Sequence, residues 1–100
     1  MKPTEAAYEW QVIGSAQTNE QAIHLSRLVG YYLPEHPKVR CLHRFSRTFM
    51  SRDNAVAYLR AKAEEFAFDE ENLRDLTHEI EQSESLTWAG VSLNLVKVKI

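Results

Sequence analysis

A chain of 100 residues with a formal net charge of −2 can form one domain, since single domains cluster at roughly 100–150 residues. The net charge argues against a general nucleic-acid binder that is held by phosphate contacts. A single cysteine, Cys41, excludes an intrachain disulfide, and no apolar run approaches the roughly 20 residues of a membrane helix. We therefore expect a cytoplasmic protein that makes no membrane contact.

The first two elements are predicted to be a strand and a helix, behind a flexible N-terminal tail at 1–6. Aromatic and branched side chains alternate along 7–13, which is typical of a strand with one buried face. Thr18 and Gln21 have the spacing of a capping box. The apolar stripe that continues from 19 to about 33 predicts a helix.

The centre of the chain is predicted to be a long strand that leads into a second helix. Side chains alternate over 38–49, with an apolar face that contains Phe45 and Phe49 and a basic face on the other side. Ser51 is positioned to cap the helix that follows, at 52–67.

The last part of the chain predicts a third helix and one or two strands. Asp69 is placed to cap a helix at about 70–82, unless 52–82 is one kinked helix. The tail 86–100 is rich in β-formers, and its alternation changes phase part-way along. A bulge within one strand explains this change, and so does a turn at Gly90 that divides the tail into two strands.

Together these elements predict one α+β domain at 7–100, with the order β-α-β-α-α-β and a further strand if the tail is divided. A small mixed sheet of three to four strands would have two to three helices packed on one face. The first β-α-β unit allows a right-handed parallel crossover. The other face of the sheet would be solvated or would contact a partner.

The residues that usually carry catalysis or bind metals do not form a complete site. Cys41 and His43 share a strand face, but a structural zinc site takes four ligands. His78 and Glu79 begin a metalloprotease motif whose second histidine is replaced by Gln82. We therefore expect no enzymatic activity, no metal and no cofactor.

Charge is divided along the sequence, which gives two candidate surfaces for a partner. Residues 38–62 contain seven Lys and Arg and one acid, whereas 64–84 contain nine acids and one Arg. Two neighbouring elements that attract each other explain this division, and so do two surfaces with different partners. The candidate binding residues of the basic face are Lys38, Arg40, Arg44, Arg47 and Arg52. Those of the acidic helix are Glu70, Glu71, Asp75 and Glu79.

We expect a non-catalytic protein–protein interaction module, for example a small inhibitor or regulator of a larger, nucleic-acid-handling protein. Its length, incomplete sites and divided charge are typical of small interaction proteins of bacteria and their mobile elements, including phage anti-defence proteins. The alternative is single-stranded nucleic-acid binding through the basic strand face 38–47. The strand edge at 92–100 offers a further route to a partner, by strand addition or by formation of a homodimer.

Overall fold

The computed structural model describes residues 8–30 and 42–99, which form one four-stranded sheet and three helices. The strands are β1 (Tyr8–Ser15), β2 (Arg44–Phe49), β3 (Ser85–Trp88) and β4 (Val91–Lys99). The helices are α1 (Asn19–Leu28), α2 (Arg52–Phe66) and α3 (Glu70–Ser83). The predicted α+β class is confirmed. The predicted tail at 1–6 and the first part of the predicted central strand, 38–41, lie outside the described residues.

The sheet has the strand order β2-β1-β4-β3, and every neighbouring pair is antiparallel. The expected parallel crossover from β1 to β2 is therefore wrong, and the sheet is not mixed. Two hydrogen bonds explain the direction of β2. Leu42 N–H donates to the buried hydroxyl of Ser26 in α1 at 2.9 Å, and Ala16 N–H donates to His43 C=O at 2.8 Å. They bring the start of β2 to the end at which β1 finishes, so β2 runs back beside β1.

Each helix begins at the cap that the sequence predicts. Side-chain oxygens of Thr18, Ser51 and Asp69 accept hydrogen bonds from the N–H three residues later, at 3.1, 3.1 and 2.8 Å. The cap at Asp69 begins α3 separately from α2, so the two are distinct helices. Helix α1 ends at Leu28, earlier than expected, because Gly30 takes a left-handed conformation with φ 70°.

The C-terminal tail forms two strands, as the turn at Gly90 predicts. Ala89 and Gly90 have φ of 49° and 81°, the left-handed pair of a type I′ hairpin turn. The pairing of β4 with β1 is continuous, so no bulge causes the change of phase. Leu95 is buried among the core residues. Val96 and Val98 point to the opposite face of β4, where they are only partly buried.

The position of β4 corrects the prediction of a free C-terminal edge at 92–100. Strand β4 lies inside the sheet, between β1 and β3, and its residues Leu93 and Asn94 pair on both sides. Within the described ranges, only the stretch 95–99 has no strand on its β3 side. Leu95 N–H in that stretch donates to Glu84 C=O at 2.9 Å. A long homodimer interface along β4 is therefore not available.

The hydrophobic core lies between one face of the sheet and the three helices. Helix α2 contacts all four strands, α1 covers β1 and β4, and α3 packs against α2 and β3. The fully buried side chains come from all three helices and from three strands; they include Val12, Leu25, Leu28, Leu59, Ala63, Leu86 and Leu93. No helix among the described residues is long and apolar enough to cross a membrane.

Candidate interaction surface at the edge of the sheet

The predicted basic residues do not form a single surface. Lys38 and Arg40 lie outside the described residues. Arg44 and Arg47 lie on opposite faces of β2, because residues three positions apart in a strand point to opposite sides. Arg52 is the first residue of α2 and belongs to a different part of the molecule. The predicted basic face is therefore divided among β2 and α2.

Part of the charge division in the sequence is internal to the fold. Arg52 Nε lies 3.4 Å from Glu84 Oε2, and Arg60 Nη2 lies 3.8 Å from Glu81 Oε1. All four side chains are about half exposed, and ion pairs of this kind contribute roughly 0–1 kcal/mol. For these residues, attraction between neighbouring elements is the correct explanation of the division.

The acidic helix α3 also uses one of its predicted binding residues internally. Glu79 accepts hydrogen bonds from Ser85 Oγ at 2.9 Å, from Thr87 N–H at 2.8 Å and from Thr87 Oγ1 at 2.7 Å. Its carboxylate therefore joins α3 to β3 within the fold. The other three predicted acids are exposed, and no ion pair among the described residues includes them: Glu70, Glu71 and Asp75.

The outer edge of β3 is covered by α3. Leu95 N–H donates to Glu84 C=O. In an antiparallel pair, the backbone groups of successive residues point alternately toward and away from the neighbouring strand, so this bond shows which groups of β3 point to β4. By that alternation, the N–H of Thr87 points away from the sheet. The Glu79 carboxylate accepts a hydrogen bond from this N–H. Covering an edge with a helix is one way in which proteins prevent unwanted strand pairing.

The outer edge of β2, by contrast, has no neighbouring strand among the described residues. The hydrogen bond from Ala16 N–H to His43 C=O fixes the alternation between β1 and β2. The N–H and C=O groups of Arg44, Ser46 and Thr48 therefore point away from β1. Over the ranges 8–30 and 42–99, no strand pairs with this edge. The row of unpaired groups is a template for another strand.

A group of rings and cations lies beside this open edge, on the face that the helices cover; we call it the β2 cluster. It consists of Phe45, Arg47, Phe49, Tyr58 and Lys62. The Arg47 guanidinium carbon lies 5.2 Å from the ring centroid of Phe49 and 5.1 Å from that of Tyr58. Lys62 Nζ lies 5.6 Å from the Tyr58 centroid, and Tyr58 stacks on Phe45 at 6.4 Å. The rings therefore hold both cations in defined positions.

The β2 cluster carries a positive charge that is only partly compensated. Lys62 Nζ lies 3.4 Å from Glu65 Oε2. Within the part of the chain that the structure describes, neither Arg44 nor Arg47 forms an ion pair. Burial raises the pKa of the Tyr58 phenol, and the charge of Arg47 acts in the opposite direction. The phenol therefore stays neutral at physiological pH and adds no negative charge.

The sequence identified Phe45 and Phe49 as apolar residues of the strand but did not reveal the cluster. Two of its members, Tyr58 and Lys62, come from α2, and only the tertiary fold brings them to β2. A signal was present in the helix, because Tyr58, Lys62 and Phe66 are four residues apart and share one side of α2.

The histidines do not form a metal site in the described part of the chain. No group of three or more His, Cys, Asp or Glu side chains is arranged to hold a metal there. His43 is exposed, and Cys41 lies outside the described residues. His24 packs edge-on against Trp88, with ring centroids 5.7 Å apart. Within the described residues, the buried atoms Nδ1 of His24 and Nε1 of Trp88 have no hydrogen-bond partner.

Comparisons with known proteins do not extend this description. Protein-family models, curated proteins and solved structures were each searched, and none matches the chain. The fold alone therefore defines the class: a small α+β domain with an antiparallel sheet, one edge covered by a helix and the other without a neighbouring strand among the described residues.

Proposed function

We propose that this protein is a non-catalytic interaction module that binds a larger protein through the open β2 edge and the β2 cluster. The supporting observation is the difference between the two edge strands. Helix α3 covers the edge of β3, whereas no strand among the described residues covers β2. Tyr, Phe and Arg side chains, which are enriched in protein interfaces, lie beside the open edge.

The charge of this surface indicates the chemistry of the partner. Arg44 and Arg47 place a cation on each face of β2, and neither is paired with a carboxylate in the described part of the chain. A complementary partner surface is therefore acidic. A domain that occupies an acidic segment of a larger protein prevents other molecules from binding there. We therefore favour an inhibitory or regulatory role.

Single-stranded nucleic acid is the second candidate ligand of the same surface. The observation that favours it is the position of Arg47, which contacts the rings of Phe49 and Tyr58. Bases can stack on such rings while phosphates pair with nearby cations. The net charge of −2 and the acidic helix α3 weigh against it, because binding to phosphates depends on positive charge.

A pull-down from lysate of the source cells, with and without nuclease, tests this proposal. The variants are the double reversal Arg44→Glu and Arg47→Glu and, as a matched control, the triple reversal Glu70→Lys, Glu71→Lys and Asp75→Lys. We expect the wild type and the triple variant to capture one protein in stoichiometric amount, resistant to nuclease. The double variant should lose at least about tenfold in affinity, or about 1.4 kcal/mol.

Three results would contradict the proposal. Loss of the captured material on nuclease treatment would indicate nucleic acid. Loss of the partner only in the triple variant would move the surface to α3. Capture that is unaffected by either set of substitutions would exclude both surfaces. Circular dichroism of each variant shows whether the fold is kept. Arg47→Glu removes ring contacts that contribute about 0.5–1 kcal/mol, whereas the other, exposed substitutions usually change stability by less than about 0.5 kcal/mol.

A further inference from the structure

We propose that the β2 edge binds an extended acidic segment of its partner as an added, fifth strand of the sheet. The segment would have the pattern apolar-x-acidic-x-apolar, in which x is any residue that favours a strand. This inference rests on the proposed function and specifies how the partner is recognised.

The backbone of β2 sets the register of the added strand. The outward N–H and C=O groups belong to Arg44, Ser46 and Thr48, so the segment forms its hydrogen bonds with these three residues. Residues of the segment opposite Phe45, Arg47 and Phe49 are then non-hydrogen-bonded pairs. Such pairs bring Cα atoms to about 4.5 Å, compared with about 5.5 Å in hydrogen-bonded pairs, so side-chain contact is closest there.

The side chains of the β2 cluster set the pattern of the segment. Phe45, Arg47 and Phe49 alternate along the helix-covered face of β2, with the cation between the two rings. The residue opposite Arg47 is therefore acidic, and the residues two positions before and after it are apolar. Opposite-charge and aromatic pairs that face each other across strands are favourable. The pattern is the same read from either end, so the segment can pair with β2 in a parallel or an antiparallel direction.

A second copy of the chain is a poorer occupant of the same edge. Strand β2 has the sequence RFSRTF, which contains two arginines and no acid. Pairing two copies of β2 would bring Arg44 and Arg47 of both copies together around the two-fold axis that relates the copies. Charged side chains on an edge strand oppose self-pairing of this kind. An occupant that supplies a carboxylate removes the repulsion and adds an attractive pair.

At the opposite edge of the sheet, a carboxylate of the molecule itself accepts from an outward backbone group. There the carboxylate of Glu79 accepts a hydrogen bond from an outward N–H, that of Thr87, and from the Thr87 hydroxyl. An acidic side chain therefore already satisfies an edge of this sheet. Strand β4 has a shorter unpaired stretch at 95–99, where by the same alternation only Lys97 and Lys99 direct their N–H groups outward.

Titration of the full-length, 15N-labelled protein with a designed peptide tests the inference. The probe is a capped peptide of sequence threonine–leucine–threonine–glutamate–threonine–leucine–threonine, and its control has lysine in place of glutamate. We expect the amide signals of Arg44, Ser46 and Thr48 to shift most, because their N–H groups gain partners. The lysine peptide should bind at least about tenfold more weakly, equivalent to about 1.4 kcal/mol.

Two further comparisons separate strand addition from simple charge attraction. Ser46→Pro removes an outward N–H and no backbone bond to β1, whereas Ser46→Ala keeps that N–H. Both variants lose the 3.5 Å hydrogen bond from Ser46 Oγ to Gln11 Oε1, so Ser46→Ala controls for it. We expect the proline variant to lose peptide binding and the alanine variant to retain it. On the probe, methylation of the backbone nitrogens that face β2 should abolish binding. Methylation of the alternate backbone nitrogens, which point away from β2, should leave binding unchanged. The methylated probes need no change to the protein, so they serve even if Ser46→Pro unfolds it.

The results distinguish this inference from the proposed function. If no peptide binds, but a captured protein still requires Arg44 and Arg47, the function stands and strand addition is wrong. Equal effects of the two methylation phases would also exclude an added strand. If a thymidine oligonucleotide shifts the same amides more strongly than the acidic peptide, the partner class is nucleic acid and the inference fails. Failure of both the peptide and the pull-down would overturn the function as well.

Discussion

The two edge strands of the sheet, β3 and β2, differ in what lies against their outer edges. The edge of β3 is covered by α3, whose Glu79 accepts the outward N–H of Thr87 at 2.8 Å. The edge of β2 has no such cover in the described part of the chain, and cations lie on both of its faces. The proposed function rests on this difference, since proteins generally protect edge strands that have no function.

The same comparison explains why two charged regions of the sequence have different roles. Acids of α3 and of its C-terminal cap are used for internal contacts: Glu79 with β3, and Glu81 and the cap residue Glu84 with arginines of α2. The arginines of β2 have no such contact among the described residues, and Arg47 rests on aromatic rings instead. A run of like charges in a sequence therefore does not by itself mark a binding surface.

The largest expected effect on stability comes from removing the acid that covers β3. Glu79→Ala leaves the Thr87 N–H and the hydroxyls of Ser85 and Thr87 without their carboxylate acceptor, which should cost about 2 kcal/mol of unfolding free energy. Urea denaturation measures this loss. Glu70→Ala, an exposed acid on the same helix, is the control and should change stability by less than about 0.5 kcal/mol. Equal effects would show that α3 does not close the β3 edge.

A smaller loss is expected in the β2 cluster. Arg47→Ala removes the contacts with the rings of Phe49 and Tyr58, which at a partly exposed site contribute about 0.5–1 kcal/mol. Arg44→Ala, on the other face of β2, is the matched control and should have a smaller effect. If Arg44 proves the more costly of the two, the rings do not hold Arg47 in place.

Alkaline pH should weaken the β2 cluster through Tyr58. Because burial raises its pKa in the folded protein above the usual 10.0, the folded state retains the proton more strongly than the unfolded state. The stabilisation is complete below about pH 10 and is lost as the pH rises through the folded pKa. Urea denaturation at pH values from about 8 upward should therefore show a decline that Tyr58→Phe reduces. An unchanged decline in that variant would assign it to other groups.

Local features of the fold were predictable from the sequence, whereas the pairing of strands was not. Thr18, Ser51 and Asp69 mark the helix starts because a cap acts on the N–H three residues later. The antiparallel direction of β2 is accompanied by a hydrogen bond from Leu42 N–H to Ser26 Oγ, between residues that are sixteen positions apart. Alternation along 38–49 could not reveal this contact, so a parallel crossover remained open.

The candidate site was predictable to an even smaller extent. The sequence correctly singled out Arg44 and Arg47 as cations of the central strand, but it grouped them with Arg52, which pairs with Glu84. It also treated Glu79 as a surface acid, because nothing local indicates that β3 lies within its reach. Both contacts join residues that are distant in sequence, so the local pattern could not reveal them.

The smallest expected effect concerns the ion pairs between α2 and α3. A double-mutant cycle on Arg52→Ala and Glu84→Ala should give a coupling free energy below about 0.5 kcal/mol, because both side chains are nearly half exposed. The coupling should also decrease further with added salt. A coupling above about 1 kcal/mol would mean that the charge division stabilises the helix pair far more than the exposure of these groups implies.

Hydrogen exchange of the backbone amides, measured by NMR on the free protein, tests the central claim most directly. The account predicts an alternating pattern along β2. Phe45, Arg47 and Phe49 should exchange slowly because their N–H groups point to β1, while Ser46 and Thr48 should exchange rapidly. Thr87 on β3 should be slow, because Glu79 accepts its N–H. Equally slow exchange of Ser46 and Thr48 would show that the β2 edge is already covered, which would contradict the account.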